Sequence, residues 1–251
     1  MVNLLEPHFF ASGGILFAFD KSTIAGKMVI TALLMGSIIS WSVNISKTRQ
    51  LDVARRQTAR FLKKFRSSRK PLQIFLTRET FSQSPAYAVY VHGCRELSYH
   101  LIGSSEIDET SAARLAQAER IPPTALAGVE SAISSEVGQQ ALRLEERMVF
   151  LAMAVSGAPF LGLLGTVWGV MDAFSDVAQA GKASLATLAP GVSGALITTV
   201  TGLLVAIPAM FFYNYLVGSV RGLIVELDNF AAELSASFSH RFVEGSRELT
   251  R

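Results

Sequence analysis

Long parts of this 251-residue chain contain no acidic or basic residue. Asp, Glu, Lys, Arg and His are all absent from residues 28–46, 148–171 and 183–220, and only 17% of the residues are charged, against about 25% in soluble domains. Each of these parts is long enough for a helix to cross the hydrocarbon core of a bilayer, which takes about 20 residues. A large enzyme can bury such helices, but this chain has too little polar sequence to wrap three of them. The sequence therefore predicts an integral membrane protein with three transmembrane helices.

Cysteine and catalytic motifs are also scarce. The single cysteine, Cys94, excludes an intramolecular disulfide bond. His92 and His100 lie near it in the sequence, but a second pair of ligands is missing, so neither a metal site nor a nucleophile is predicted there. The chain has no phosphate-binding loop, zinc-binding helix motif or serine elbow. We therefore expect no enzymatic activity, no metal and no cofactor.

Basic residues are concentrated directly after the first charge-free part. Residues 47–70 contain ten lysines and arginines but only one acidic residue, Asp52. Because lysine and arginine collect on the cytoplasmic side of membrane proteins, this segment is predicted to lie in the cytoplasm. The same residues can attract anionic lipid headgroups. Only Phe61 and Phe65 are interleaved with them, so nucleic-acid binding is not predicted.

This orientation divides the chain into alternating segments. Residues 1–27 are predicted to lie outside, with residues 8–19 resting on the membrane surface through aromatic side chains. Met1–Ala18 has no basic start, so we expect no cleavable signal peptide. The predicted transmembrane helices are residues 28–46, 148–171 and 193–217, the cytoplasmic parts are 47–147 and 218–251, and the loop 172–192 lies outside.

Apolar residues at helical spacing predict long helical extensions into the cytoplasm. One stripe runs straight into the second span, which predicts a single helix from Thr124 through that span. A second stripe predicts that the third span also continues as an amphipathic helix. It consists of Leu223, Leu227, Phe230, Leu234, Phe238 and Phe242. Residues 48–121 are predicted to be helical, with a looser part at 82–85 and a serine-rich, acidic turn at 104–111, and no pattern predicts a sheet.

Small residues line the second and third spans. Gly162, Gly165 and Gly169 follow one another at i, i+3 and i+7, which places them on one helix face. Gly165 and Gly169 also form the small-xxx-small pattern with which transmembrane helices pack closely. A comparable stripe in the third span consists of Ala195, Thr199, Gly202 and Ala206.

Pro159 and Pro208 lie within the second and third spans. Each proline removes one backbone hydrogen bond and is predicted to bend its helix. From spacing alone, the small residues and threonines have two explanations. One is helix packing, with each threonine hydroxyl bonded to the carbonyl oxygen four residues before it. The other is a weakly polar lining that has a function.

Two longer motifs resemble a known family. PFLGLLGTVWGVMDAF, residues 159–174, and APGVSGALITTVTGLLVAIPAMFFYNYLV, residues 189–217, are similar to the proton-channel family that includes ExbB, TolQ and, more distantly, MotA. LRLEER at residues 142–147 shows a weaker similarity. ExbB and TolQ also share the predicted order of an outside N-terminus, three spans, a large cytoplasmic segment after the first span and a short tail.

The resemblance implies a function and partners. It implies a ring-forming oligomer of five identical subunits in the bacterial inner membrane, with the N-terminus in the periplasm and the C-terminus in the cytoplasm. The ring would surround an ExbD- or TolR-like single-span protein that carries an aspartate within the membrane. Proton flow would drive work on a TonB- or TolA-like protein, for outer-membrane transport or envelope integrity. The pore threonines of the family correspond to Thr166 and Thr199.

The sequence departs from the family at two positions. Gly194 replaces a glutamate that is common in the third span, and Asp172, near the predicted outer mouth of the pore, replaces a neutral polar residue. Asp172 can attract protons there or simply end the helix. Because the spans have no acid of their own, a proton that crosses them is expected to bind to another polypeptide. Thr166 and Thr199 are then expected to hydrogen-bond to that group or to water beside it.

Two other functions remain open from the residues alone. A structural membrane scaffold without proton conduction requires only that the small residues pack the helices. A secondary transporter for a small solute generally has more spans, and a charge-free interior offers little to hold a polar substrate.

Overall fold

The computed structural model describes residues 19, 22–68, 70–104, 114–115, 120–181 and 184–243. The helices of this part are α1 (Ile24–Ser67), α2 (Gln73–Leu76), α3 (Pro85–Ile102), α4 (Pro123–Glu145), α5 (Met148–Ala180) and α6 (Leu185–Phe242). The only β-type pairing among the described residues is an isolated parallel bridge between Ile121 and Val243. The predicted all-α fold is thus confirmed. The predictions for most of residues 8–19 and 104–111 lie outside the described residues.

Three helices, α1, α5 and α6, are long and apolar enough to cross a membrane. At about 1.5 Å per residue, the 44 residues of α1 extend over about 66 Å and the 58 residues of α6 over about 87 Å. The hydrocarbon core is only about 30 Å thick. Both helices therefore continue well beyond a bilayer that they cross. The predicted stripe of α6 is buried from Leu223 to Phe238, and its last member, Phe242, is half-buried.

The structure contradicts the prediction of one continuous helix from Thr124 through the second span. α4 ends at Glu145, because Glu146 leaves helical geometry with a ψ of 138° and Arg147 adopts a left-handed conformation with a φ of 67°. The buried side chains of Leu144 and Met148 keep helical spacing across this break. Neither proline nor glycine marks the break in the sequence, so the apolar pattern alone predicted a single helix.

The contacts divide the chain into two compact units, which we describe separately. The first unit contains residues 1–46 and 147–215, and the second contains residues 47–146 and 216–251. In the first unit, Leu33 of α1, Ala158 of α5 and Ala206 of α6 belong to one buried cluster. Large apolar side chains elsewhere on these helices are exposed. This distribution is expected for surfaces that contact lipid or other membrane helices.

Aromatic residues form the core of the second unit. The Phe61 ring of α1 contacts the rings of Tyr90 on α3 and Phe230 on α6, with 5.4 and 5.5 Å between ring centroids. The Tyr90 hydroxyl donates to the carbonyl oxygen of Pro71 at 2.7 Å and accepts from the backbone N–H of Phe75 at 3.0 Å. These bonds attach the segment that contains α2 to α3.

Two residues of the basic segment 47–70 hold the helices of the second unit together. Lys47 is 3% exposed, and its Nζ donates to the carbonyl oxygens of Arg143 at 3.4 Å and Leu144 at 3.2 Å. Arg55 donates to the carbonyl oxygen of Ser219 in α6 at 3.3 Å. The basic segment therefore has a structural role in addition to the predicted topological one.

Candidate functional site

α5 and α6 approach each other along two rows of small residues. The row on α5 consists of Ala158, Gly162, Gly165, Gly169 and Ala173, and the row on α6 consists of Gly191, Ala195, Thr198, Gly202 and Ala206. A Cβ atom on Gly162 would lie 2.8 Å from the carbonyl oxygen of Thr198, and one on Gly202 would lie 2.5 Å from that of Ala158. Cβ atoms do not approach oxygen atoms this closely in proteins, so these positions require glycine.

Four of the predicted packing residues lie in the contact between α5 and α6, and the others are buried or half-buried on these helices. The residues in this contact are Gly162, Gly165, Gly169 and Gly202. Gly165 lies against the Thr198 side chain, since an added Cβ would be 2.7 Å from Thr198 Oγ1. Gly194 is buried in α6, and Pro159 and Pro208 are half-buried inside α5 and α6. Asp172 is half-buried on α5, next to the last residue of the small row.

Three threonine hydroxyls lie side by side within this contact. Thr166 Oγ1 on α5 is 2.5 Å from Thr199 Oγ1 and 3.2 Å from Thr198 Oγ1 on α6. The carbonyl oxygen of Gly162 is 2.9 Å from the Thr198 hydroxyl and 3.2 Å from the other two hydroxyls. The carbonyl oxygen of Ala195 is 2.7 Å from the Thr198 hydroxyl and 3.2 Å from that of Thr166. The structure therefore brings the two predicted pathway residues into direct contact.

The chemistry of this hydroxyl cluster follows from its composition. Hydroxyl groups donate and accept hydrogen bonds but carry no charge at neutral pH. The sequence on both sides, residues 148–171 and 183–220, contains no Asp, Glu, Lys, Arg or His. The cluster can thus hydrogen-bond to a protonated or deprotonated carboxyl group, or to water beside one. It cannot itself hold a proton as a charge.

Sequence reasoning missed Thr198, the most deeply buried member of the cluster. Thr198 is 0% exposed, whereas Thr166 and Thr199 are each half-buried. The predicted stripe of the third span contained Thr199 in its place. The spacing of Ala195, Thr198 and Gly202, at i, i+3 and i+7, was the signal that could have identified the buried face.

His92, Cys94 and His100 all lie on α3. Cys94 is fully buried in the second unit, and burial raises the pKa of its thiol. Because the thiolate is the reactive form, this thiol is a poor nucleophile at neutral pH. Within the described ranges, no three His, Cys, Asp or Glu side chains lie close enough together to bind one metal ion.

Comparison with known proteins places this site in a family. Residues 104–229, which include α4, α5 and most of α6, match the MotA/TolQ/ExbB proton channel family. The Tol-Pal system protein TolQ of Haemophilus influenzae is 32% identical over 220 residues, which cover 86% of this chain and 90% of that protein. TolQ of Pseudomonas aeruginosa is 29% identical over 96% of this chain and 99% of its own length. The biopolymer transport protein ExbB of Salmonella typhimurium is 28% identical over 92% of this chain and 93% of its own length. The chain therefore belongs to the MotA/TolQ/ExbB proton channel family.

Proposed function

We propose that this chain is the channel subunit of an inner-membrane motor in which the proton motive force drives mechanical work on an envelope-spanning protein. The work would serve outer-membrane transport or envelope integrity, as the resemblance to ExbB and TolQ implies. The observation that carries the proposal is the hydroxyl cluster of Thr166, Thr198 and Thr199 between two apolar helices.

The missing acid determines what kind of partner the motor needs. The spans themselves contain no carboxyl group, although proton relays in pumps and transporters are typically built on Asp, Glu or His side chains within the membrane. We infer that a TolR- or ExbD-like single-span protein supplies an aspartate within the membrane. Placing an unpaired charge at the bilayer centre costs about 2.5–3.5 kcal/mol on insertion scales. The acid is therefore expected to be protonated where no countercharge faces it, and Thr166 or Thr199 would accept a hydrogen bond from that protonated carboxyl group.

The proposed assembly is a ring of five copies around the partner helices. The N-terminus would face the periplasm and the C-terminus the cytoplasm, because the basic residues of segment 47–70 favour the cytoplasmic side. Inside one copy, α5 and α6 use their small residues to pack against each other. Large side chains such as Phe160, Trp168 and Phe211 remain exposed, so they are available to lipid or a neighbouring copy.

A structural scaffold is the alternative, and Thr201 shows what that function would require. The Thr201 hydroxyl donates to the carbonyl oxygen of Ile197, four residues earlier, at 2.8 Å. This is how a threonine satisfies its hydroxyl in a helix that only packs. Thr166 and Thr199 also contact each other across two helices. Helix packing alone does not require a contact between two hydroxyls on different helices. The contact therefore favours a role of these hydroxyls in the proton pathway.

Proton flux through the purified complex tests the proposal. The complex would be purified through an affinity tag on this chain, its partners identified by mass spectrometry, and the complex reconstituted into liposomes that contain a pH-sensitive dye. We expect proton uptake under an imposed gradient by the complex, and none by the isolated chain. Conduction by the isolated chain, or a complex without flux and without a single-span partner that carries an intramembrane Asp, would contradict the proposal.

A further inference from the structure

Thr198 is the buried neighbour of the two predicted pathway threonines. We propose that Thr198 is a positioning residue of the proton pathway, whose hydroxyl occupies a backbone acceptor and thereby makes Thr166 and Thr199 hydrogen-bond to each other. This inference rests on the proposed function, because it assigns to Thr198 a role in the pathway that Thr166 and Thr199 form.

Two backbone carbonyl oxygens accept hydrogen bonds from the cluster. The carbonyl oxygens of Gly162 and Ala195 lie inside α5 and α6, where each accepts the backbone N–H four residues later. A carbonyl oxygen has two lone pairs. Each of these two oxygens therefore has one acceptor position left for a side chain.

Three hydroxyl hydrogens compete for these two positions. Thr198 has the shortest distance to both oxygens, 2.7 Å to Ala195 and 2.9 Å to Gly162. Because Thr198 is 0% exposed, its hydroxyl has no access to water and must donate inside the cluster. These two distances are shorter than the 3.2 Å between Thr198 Oγ1 and Thr166 Oγ1, so Thr198 donates to one of the two carbonyl oxygens and occupies one acceptor position.

The hydroxyl hydrogens of Thr166 and Thr199 share what Thr198 leaves. With Thr198 in place, a single carbonyl position remains for both hydroxyls, so one of them donates to the carbonyl and the other to a neighbouring hydroxyl. The Thr166–Thr199 contact, at 2.5 Å, is shorter than the Thr166–Thr198 contact, at 3.2 Å, and is therefore the favoured one. The direct contact between Thr166 Oγ1 and Thr199 Oγ1 is consistent with this result. The pair then presents oxygen lone pairs outward, ready to accept a hydrogen bond from a protonated carboxyl group or from water.

Loss of the Thr198 hydroxyl removes this constraint. Thr166 is 3.2 Å from the carbonyl oxygen of Ala195, and Thr199 is 3.2 Å from that of Gly162. Each hydroxyl can then bond to a carbonyl of its own, and the bond between the two becomes optional. The Thr166 and Thr199 oxygens that accept a hydrogen bond from the carboxyl group are then no longer held in one position.

Proton flux of the tagged complex in liposomes tests the inference with paired variants. Thr198→Val keeps the shape of the side chain without the hydroxyl, and Thr198→Ser keeps the hydroxyl. Thr201→Val is the control, since the Thr201 hydroxyl bonds to its own helix. We expect Thr198→Val to lower proton flux about tenfold, which is the change that the loss of one hydrogen bond in the transition state produces. Thr198→Ser and Thr201→Val should keep at least half of the wild-type flux. If Thr198→Val does not assemble, the smaller Thr198→Ala carries the same expectation.

Two outcomes would overturn the inference. Wild-type flux in an assembled Thr198→Val or Thr198→Ala complex would show that the hydroxyl is not needed. Equal losses in Thr198→Ser and Thr198→Val would show that packing, not hydrogen bonding, is the contribution of Thr198. A wild-type complex without proton flux would be a different result, since it contradicts the proposed function itself and removes the basis of this inference.

Discussion

Lys47 of α1 donates a hydrogen bond to the carbonyl oxygen of Leu144, in the last turn of α4, at 3.2 Å. The last carbonyl oxygens of a helix have no partner inside the helix, and a buried lysine there satisfies them and interacts favourably with the helix dipole. The contact joins residues that are 97 positions apart in the sequence. It shows that the basic segment stabilises the second unit from within.

The first prediction concerns this lysine. Lys47→Met keeps the apolar stem of the side chain but removes its donors, which leaves buried carbonyl oxygens without a partner. We expect the free energy of unfolding to fall by about 1–3 kcal/mol, measured by chemical denaturation of the purified protein in detergent with circular dichroism as the signal. Arg49→Met, at an exposed position of the same helix, is the control and should have little effect. Equal effects of the two substitutions would contradict the role of Lys47.

The second prediction concerns the contact between α5 and α6. Gly162→Ala adds a Cβ atom 2.8 Å from the carbonyl oxygen of Thr198, so the helices must separate. We expect a destabilisation of about 1–3 kcal/mol, seen as a lower melting temperature in detergent. Gly157→Ala is the matched control on the same helix, because an added Cβ there meets nothing within 4 Å. A stable Gly162→Ala variant would mean that the small-residue rows do not need close contact.

The third prediction concerns the hydroxyl of Tyr90. Tyr90→Phe keeps the aromatic packing but removes the bonds to Pro71 and Phe75. We expect the second unit to lose about 1–3 kcal/mol, and the segment around α2 to exchange its amide hydrogens faster. Tyr99→Phe, at an exposed position of α3, should change neither quantity. Unchanged exchange around α2 in Tyr90→Phe would contradict the anchoring role of this hydroxyl.

The fourth prediction is a loss of stability in alkaline solution. Burial raises the pKa of both the Cys94 thiol and the Tyr90 hydroxyl in the folded protein. The unfolded chain releases these protons at about pH 8.5 and about pH 10, while the folded chain retains them. The stability they contribute is therefore complete below about pH 8.5 and decreases as the pH rises through the range above it.

Denaturation at pH 8 and at pH 10.5 measures this effect. The double variant Cys94→Ala with Tyr90→Phe lacks both groups, so its stability should fall less than that of the wild type between the two pH values. The lysines titrate in both proteins and cancel in the comparison. The same fall in both proteins would show that these two buried groups do not cause the alkaline sensitivity.

The sequence predicted those parts of the fold that depend on a local pattern. The absence of charge identified three apolar helices, and the stripe from Leu223 to Phe238 identified the buried face of α6 beyond the third span. The break at Glu146 and Arg147 was not predictable in this way, because the apolar sequence pattern continues through it and no proline or glycine marks it. The internal contacts of Lys47 and Tyr90 depend on residues distant in the sequence.

The candidate site was predictable in part. The resemblance to the family pointed to Thr166 and Thr199, and their contact across two helices required the structure. Thr198 was missed because adjacent residues of a helix point about 100° apart, and a small-residue stripe is broad enough to include either neighbour. Which of the two threonines is buried depends on the rotation of α6 against α5, which a single sequence does not specify.

The most direct test of the central claim is proton flux through complexes that carry Thr166→Val or Thr199→Val. Both variants keep the side-chain shape, so each should still purify with the partner in normal amounts. We predict that each lowers proton flux in liposomes by at least about tenfold, while Thr201→Val conducts normally. Normal proton flux in both Thr166→Val and Thr199→Val would contradict the claim that these hydroxyls act on an acid supplied by another subunit.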